Sequence, residues 1–191
     1  MSITRLASGV DFNLLDPDPA LITIRDIAQN LSRMCRYNGA CEKFYSVAQH
    51  SVLVARIAAK MGAAHDLQFH ALLHDAHEAY IGDITRPVLA AMRAESQRDI
   101  ERIREKVDHA IFTRFGLPAA GRTPRLVDSS DNIALATEWR ELMPGPAPTA
   151  WAPVPWSVTP LPPDRAENLF IDTFNKLEAL NGPHRPAPQF I

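Results

Sequence analysis

Cysteine is nearly missing from this 191-residue chain, which has only Cys35 and Cys41. Two thiols cannot build the disulfide framework of a small secreted scaffold, and a reducing cytoplasm is the setting they suggest. Long apolar runs are also missing. None approaches the roughly 18 residues a membrane span requires. The opening MSITRLASGVDF lacks the continuous apolar stretch of a signal peptide. There is no positive surplus: 20 Lys and Arg stand against 22 Asp and Glu, net −2. That balance argues against a strongly basic binder of polymeric nucleic acid. No repeat or long linker divides the chain, and its length fits one domain spanning 1–191. What is present is an ordinary globular composition, 46% apolar and 22% charged, able to bury a core.

Proline is abundant, at 16 residues, and eight of these fall between Pro144 and Pro163. That stretch cannot stay helical, because proline lacks the N–H and clashes with the preceding turn. The segment 144–163 reads as an extended loop pinned to the surface by Trp151 and Trp156; a substrate lid or dimer contact is the alternative. The rest has helical spacing. Thr23 opens a segment carrying Ile24, Ile27, Ala28, Leu31 and Cys35, with Arg25, Gln29, Arg33 and Arg36 as its polar stripe. Ser46 and Gln49 form a capping box for a helix that stops at Gly62. Asp66 caps the next, running to Gly82. Pro87 opens further chain, and Ile100 to Ile111 form an amphipathic helix ending near Gly116. Leu126 to Met143 is helical again. Asp164 and Glu167 cap a last helix over 164–180. No alternating strand pattern is found, so the expectation is an all-α bundle of about six or seven helices.

Histidine is concentrated: His65, His70, His74 and His77 fall close together, with Asp75 and Glu78 among them. Residues three and four apart share a helix face, so His70, His74, His77 and Glu78 form one polar stripe. Such a stripe costs free energy when buried unless something satisfies it. Imidazole with carboxylate suits zinc, iron, manganese or cobalt. Two further ligands are available. His50 sits on the first turn of its own helix, and Asp131 lies near the start of another. Three helices would then converge on one ion through His50, His74, Asp75 and Asp131, as helical bundles build metal sites.

The pattern H…HD…D resembles the signature of the HD-domain metal-dependent phosphohydrolases, an all-helical superfamily. HDAHEAYIGDITRP, His74 to Pro87, is similar to the HD-A-x-E-x-x-x-G-D-x-x-x-P stretch of its 5′-deoxynucleotidase-like branch. FYSVAQHSVLVA (Phe44 to Ala55) and LSRMCRYNG (Leu31 to Gly39) resemble the entry segments of that branch. The resemblance covers roughly Ile24 to Leu142 and extends to the proline-rich stretch and the last helix. It implies His50, His74, Asp75 and Asp131 as ligands of a divalent ion (Zn, Co, Mn, Fe or Mg). It implies Glu78 as the residue that orients or deprotonates the attacking water, and Asp83 as a second acid near the leaving group. Arg36, with Arg33, matches the arginine that holds substrate phosphate, and Tyr37 is available to stack on a nucleobase. Asp128 stands where relatives often carry lysine, and His77 where a small residue is usual.

The expectation is a phosphohydrolase that removes the 5′-phosphate from deoxynucleoside monophosphates, forming a dimer or larger homo-oligomer. A dNTP triphosphohydrolase is the near alternative. A non-catalytic metal- or nucleotide-binding HD domain is the distant one, and the retention of Glu78 and Asp83 argues against it.

Overall fold

The computed structural model describes residues 2–95, 99–118 and 123–182. Among these, the all-α expectation holds. Seven α-helices of nine residues or more are accompanied by an eighth of a single turn. They are α1 (Ile24–Arg33), α2 (Val47–Lys60), α3 (His65–Leu73), α4 (Glu78–Ile81), α5 (Arg86–Ala94), α6 (Asp99–Arg114), α7 (Arg125–Leu142) and α8 (Pro163–Asn181).

α2 is the central helix because apolar or small residues surround it. Val47, Ala48, Val52, Val54, Ile57 and Ala58 are all buried, and α1, α3, α7 and α8 pack against it. A helix apolar on most sides belongs in the interior. Its start is set by Ser46, whose hydroxyl accepts from the Gln49 N–H at 3.2 Å. The capping box is only half formed. The Gln49 amide turns away to hold the proline-rich loop, donating to Thr159 O (2.7 Å) and accepting from Leu161 N (2.9 Å). Beside α2, the rings of Phe69 and Phe115 each lie 5.1 Å from Phe174, which ties α3 and the end of α6 to α8.

Four other local expectations are corrected. A two-stranded antiparallel hairpin precedes α1, with β1 (Ile3–Arg5) paired to β2 (Asp11–Asn13) and Thr4 opposite Phe12. Strands of three residues are too short to print an alternating pattern. Only Phe12 is fully buried, its ring 4.6 Å from that of Tyr80. Next, α1 ends at Arg33, so Cys35 and Arg36 lie beyond it and Arg36 begins a separate 3-10 turn, Arg36–Gly39. Third, neither Asp66 nor Asp164 is a cap. Ala64 and Pro162 occupy those positions, and Glu167 instead pairs with Arg33 at 3.2 Å. Fourth, Trp151 is 46% exposed and pins nothing. The loop is held by Gln49, by buried Val154, and by Arg140, which donates to Val154 O (2.8 Å) and Trp156 O (2.9 Å). Trp156 itself is half-buried beneath the Lys60 ammonium, 5.5 Å from its ring centre.

The helix read over 66–82 is broken, and the break matters to function. Between α3 and α4 the backbone bonds tighten from i−4 to i−3: Ala76 N donates to Leu73 O and Glu78 N to Asp75 O, both at 3.0 Å. Tighter winding draws residues three apart toward one line. No described helix is long and apolar enough to cross a membrane.

Candidate metal centre

His50, on the first turn of α2, is fully buried. Its Nδ1 lies 2.6 Å from Oε1 of Glu138, an equally buried carboxylate on α7. The other Glu138 oxygen accepts from Arg36 Nε (3.1 Å) and from the Tyr37 hydroxyl (2.7 Å). Burial opposes ionisation of Glu138, but Arg36, His50 and Tyr37 together hold its pKa below the usual carboxylate range. A carboxylate on Nδ1 fixes the proton there and leaves Nε2 as the free lone pair. His74, at the end of α3, is set in the same way by a backbone carbonyl, its Nδ1 lying 2.8 Å from Ala71 O.

Both free nitrogens turn toward Asp75. Asp75 Oδ2 lies 3.5 Å from His50 Nε2 and 3.1 Å from His74 Nε2. Asp131 Oδ1, from the first half of α7, lies 3.3 Å from His50 Nε2, and its other oxygen meets Arg86. The structure therefore brings together all four residues expected as ligands. His50, His74 and Asp75 are the tightest trio, with one donor atom of each within 4.8 Å of the others.

A divalent cation fits this arrangement. His50 Nε2 and His74 Nε2 are buried without a hydrogen-bond partner among the described residues. Each faces carboxylate oxygens, an acceptor against acceptors. Burial and Arg36 oppose a charge on His50, yet Glu138, Asp131 and Asp75 outweigh them and hold its pKa well above the imidazole range. Burial likewise opposes ionisation of Asp75 and Asp131, and the histidines reverse it, lowering both. A proton on His50 is the weaker way to satisfy these groups. A divalent ion ligated by neutral imidazole and ionised carboxylate is the stronger one.

A model of the HD domain matches residues 47–138, a span that begins with α2 and ends on Glu138. The chain is 37% identical over 188 residues to the uncharacterized protein YfdR of Escherichia coli K12, covering 94% of this chain and 98% of that one. The chain belongs to the HD-domain superfamily of metal-dependent phosphohydrolases. An uncharacterized protein of Rhodobacter capsulatus is 35% identical over 144 residues, covering 72% of this chain and 71% of its own. Membership accords with the geometry: His50, His74 and Asp75 stand where they could hold the divalent ion that HD domains bind.

The remaining predicted site residues divide. Glu78 is buried on α4, with Oε2 unpartnered among the described residues. Burial first, then the charges of Asp75 and Asp83, push its pKa well up. Asp83 follows Gly82, whose φ of +88° turns the chain out of α4. Burial raises its pKa too, against the pull of Arg36. Arg36 reaches the centre, with Nη1 4.0 Å from Asp75 Oδ2. Arg33 does not share its face. It is exposed and paired with Glu167 on α8, because α1 ends between the two arginines. Tyr37 gives its hydroxyl to Glu138 and stands edge-on to Trp139 at 5.7 Å. Its φ of +57°, followed by +51° at Asn38, is a left-handed conformation that costs a non-glycine residue roughly 1–2 kcal/mol.

Sequence reasoning missed Glu138. The signal was there: it is seven residues after Asp131, two helical turns, and so on the same face. Arg86 and Asp108 left no comparable local signal.

A cleft of about 610 Å³ opens beside the centre, between α3–α4 and α5–α6. Its walls include His70, His74, His77, Glu78, Leu89 and Phe112. Its arginines are occupied: Arg93 lies 2.6 Å from Glu101, and Arg104 lies 3.5 Å from Asp108.

Proposed function

We propose that the protein hydrolyses the 5′-phosphate of deoxynucleoside monophosphates. The observation that carries this reading is the charge of the cleft. Each described arginine around the centre and cleft already faces a carboxylate: Arg36 with Glu138, Arg86 with Asp131, Arg93 with Glu101 and Arg104 with Asp108. Glu105 adds further acid to the lining. Such a cleft repels two additional phosphates and accommodates an uncharged nucleoside, for which its volume is sufficient.

His50, His74, Asp75 and Asp131 would hold the divalent ion. When bound, that ion neutralises charge on the phosphoryl oxygens and acidifies water, from a pKa of ~15.7 to about 7. The chain's own residues do the rest. Glu78 orients the attacking water and accepts its proton. Asp83, its pKa raised by burial, is the acid placed to serve the departing 5′-oxygen. Arg36, committed to Glu138 through Nε, presents its Nη groups to a phosphate oxygen. Apolar side chains such as Leu89 and Phe112 line the space for the nucleoside.

A panel of dNMPs, NMPs and dNTPs with Mn²⁺, Co²⁺ or Zn²⁺ tests this. Orthophosphate from dNMPs is the expected product. Inorganic triphosphate from dNTPs would replace this reading with the triphosphohydrolase one, and an absence of turnover across the panel would leave neither standing.

A further inference from the structure

The chain's two thiols have no part in the role proposed above, yet the fold brings them together. Cys35 and Cys41 are six positions apart, and their Sγ atoms lie 3.6 Å from each other. Both are free and half-buried. They stand on either side of the turn Arg36–Gly39. Tyr37, Asn38 and Gly39 take φ of +57°, +51° and +79° in succession, and this left-handed run folds the chain back so that its ends meet. Backbone bonds hold the meeting in place. Cys35 is bridged to Ser46, Arg36 N donates to Tyr45 O at 2.9 Å, Ala40 N to Tyr37 O at 3.0 Å, and Glu42 N to Leu142 O, at the end of α7, at 3.0 Å.

Between the two sulfurs lies the segment that delivers Arg36 to the metal centre, with its Nε on Glu138 and its Nη1 4.0 Å from Asp75 Oδ2. The Cys41 S–H also donates to Arg36 O at 3.8 Å. Thiols so placed need little movement of the chain to join, and attack of one on the other has the high effective concentration of an intramolecular step. Burial and the neighbouring Cys35 raise the pKa of Cys41. Cys41 is therefore the slower first nucleophile, and the first attack falls to Cys35.

We propose that Cys35 and Cys41 form a reversible disulfide that pins the turn carrying Arg36. The oxidant is a small-molecule disulfide of the glutathione class. Cys35 releases its proton and, as thiolate, attacks one sulfur of that molecule, expelling the other half. Cys41 then loses its proton and attacks the Cys35 sulfur, expelling the second half. The chain is oxidised by two electrons. The small disulfide is reduced to two thiols, which take up the two protons. The new bond removes the S–H from Arg36 O and closes the left-handed turn at its base, so a turn held by hydrogen bonds becomes one held covalently. A reducing compartment keeps the pair as thiols, and bridging there is a response to oxidation. Neither step involves metal or substrate, so the pair is tested apart from the hydrolase reading.

The test equilibrates the full-length protein, without air, in glutathione buffers from fully reduced to fully oxidised. Thiol titration and intact mass should show both thiols lost together, the chain lighter by two hydrogens and no glutathione retained. Dithiothreitol should restore both thiols. The oxidised protein should melt roughly 4–8 °C higher, and the amide hydrogens of residues 36–40 should exchange more slowly. Cys35→Ser and Cys41→Ser should each keep a glutathione adduct and show no rise in melting temperature. Where a serine variant fails to fold, the thiol count and the exchange rates of the unaltered protein decide. Two thiols still titratable in fully oxidised buffer would overturn the proposal, as would two glutathione adducts or a bridge between chains. A bridge that left both melting temperature and exchange unchanged would overturn it too, because the turn would not then be pinned.

Discussion

Among single residues, Glu138 has the widest influence on the centre. One carboxylate orients His50, neutralises Arg36 and anchors the strained Tyr37 turn. Outer carboxylates of this kind typically contribute a factor of about 10–100 in metal affinity. Glu138→Gln should lose affinity on that scale in a competition titration with a fluorescent chelator. An unchanged affinity would mean that His50 is oriented by packing alone. Glu78 supplies a pH signature in metal-free protein. Its pKa is raised in the folded state above an unfolded value of about 4.3. Between those values the folded chain holds a proton that the unfolded chain has released, so stability falls as pH rises through that interval. Glu78→Gln mimics the protonated form. Its melting temperature in chelator should match the unaltered protein near about pH 4 and exceed it increasingly toward neutrality. A gap constant with pH would contradict the raised pKa.

The elements owe their positions to a few polar ties between distant parts of the chain. Gln49 illustrates this, since it both follows the α2 cap and holds the proline-rich segment through Thr159 and Leu161. Each bond is worth about 0.5–1.5 kcal/mol net. Gln49→Ala should therefore cost roughly 1–3 kcal/mol and speed proteolytic cleavage within 144–162. Cleavage at the original rate would show that Arg140 and Val154 suffice to hold the loop. The break between α3 and α4 belongs to this scale too. A continuous helix would leave His77 about 60° from His74 around the axis, and the i−3 bonds at Ala76 and Glu78 wind the chain more tightly there.

For the whole molecule, the metal centre joins α2, the α3–α4 turn and α7, so ligand binding is linked to folding. A ligand at 100 times its Kd contributes about 2.7 kcal/mol, which for a chain of this size raises Tm by roughly 5–11 °C. Saturating Mn²⁺ should produce such a rise, and His74→Ala should abolish most of it while remaining folded in chelator. Equal shifts in both proteins would place the stabilising ion elsewhere. The Phe69–Phe174–Phe115 cluster lies in the apolar core rather than among the ligands.

Much of this was legible in the amino-acid order. The helices announced themselves through apolar spacing, because a face that must be buried repeats every three or four residues. His50 and Asp131 could be selected because each sits at a readable place on such a helix, and His74 and Asp75 because they lie within a run of histidines and acids. The pairings of His50 with Glu138, Asp131 with Arg86 and His77 with Asp108 were not legible. Each joins elements far apart in the chain, and local periodicity says which face of a helix is buried but not which side chain will meet it. The end of α1 before Arg36 and the tightening at 74–77 were hidden for a related reason. Both segments keep sequences that a helix would accept, and only the demands of packing against α2, α7 and α8 decide where the helix gives way.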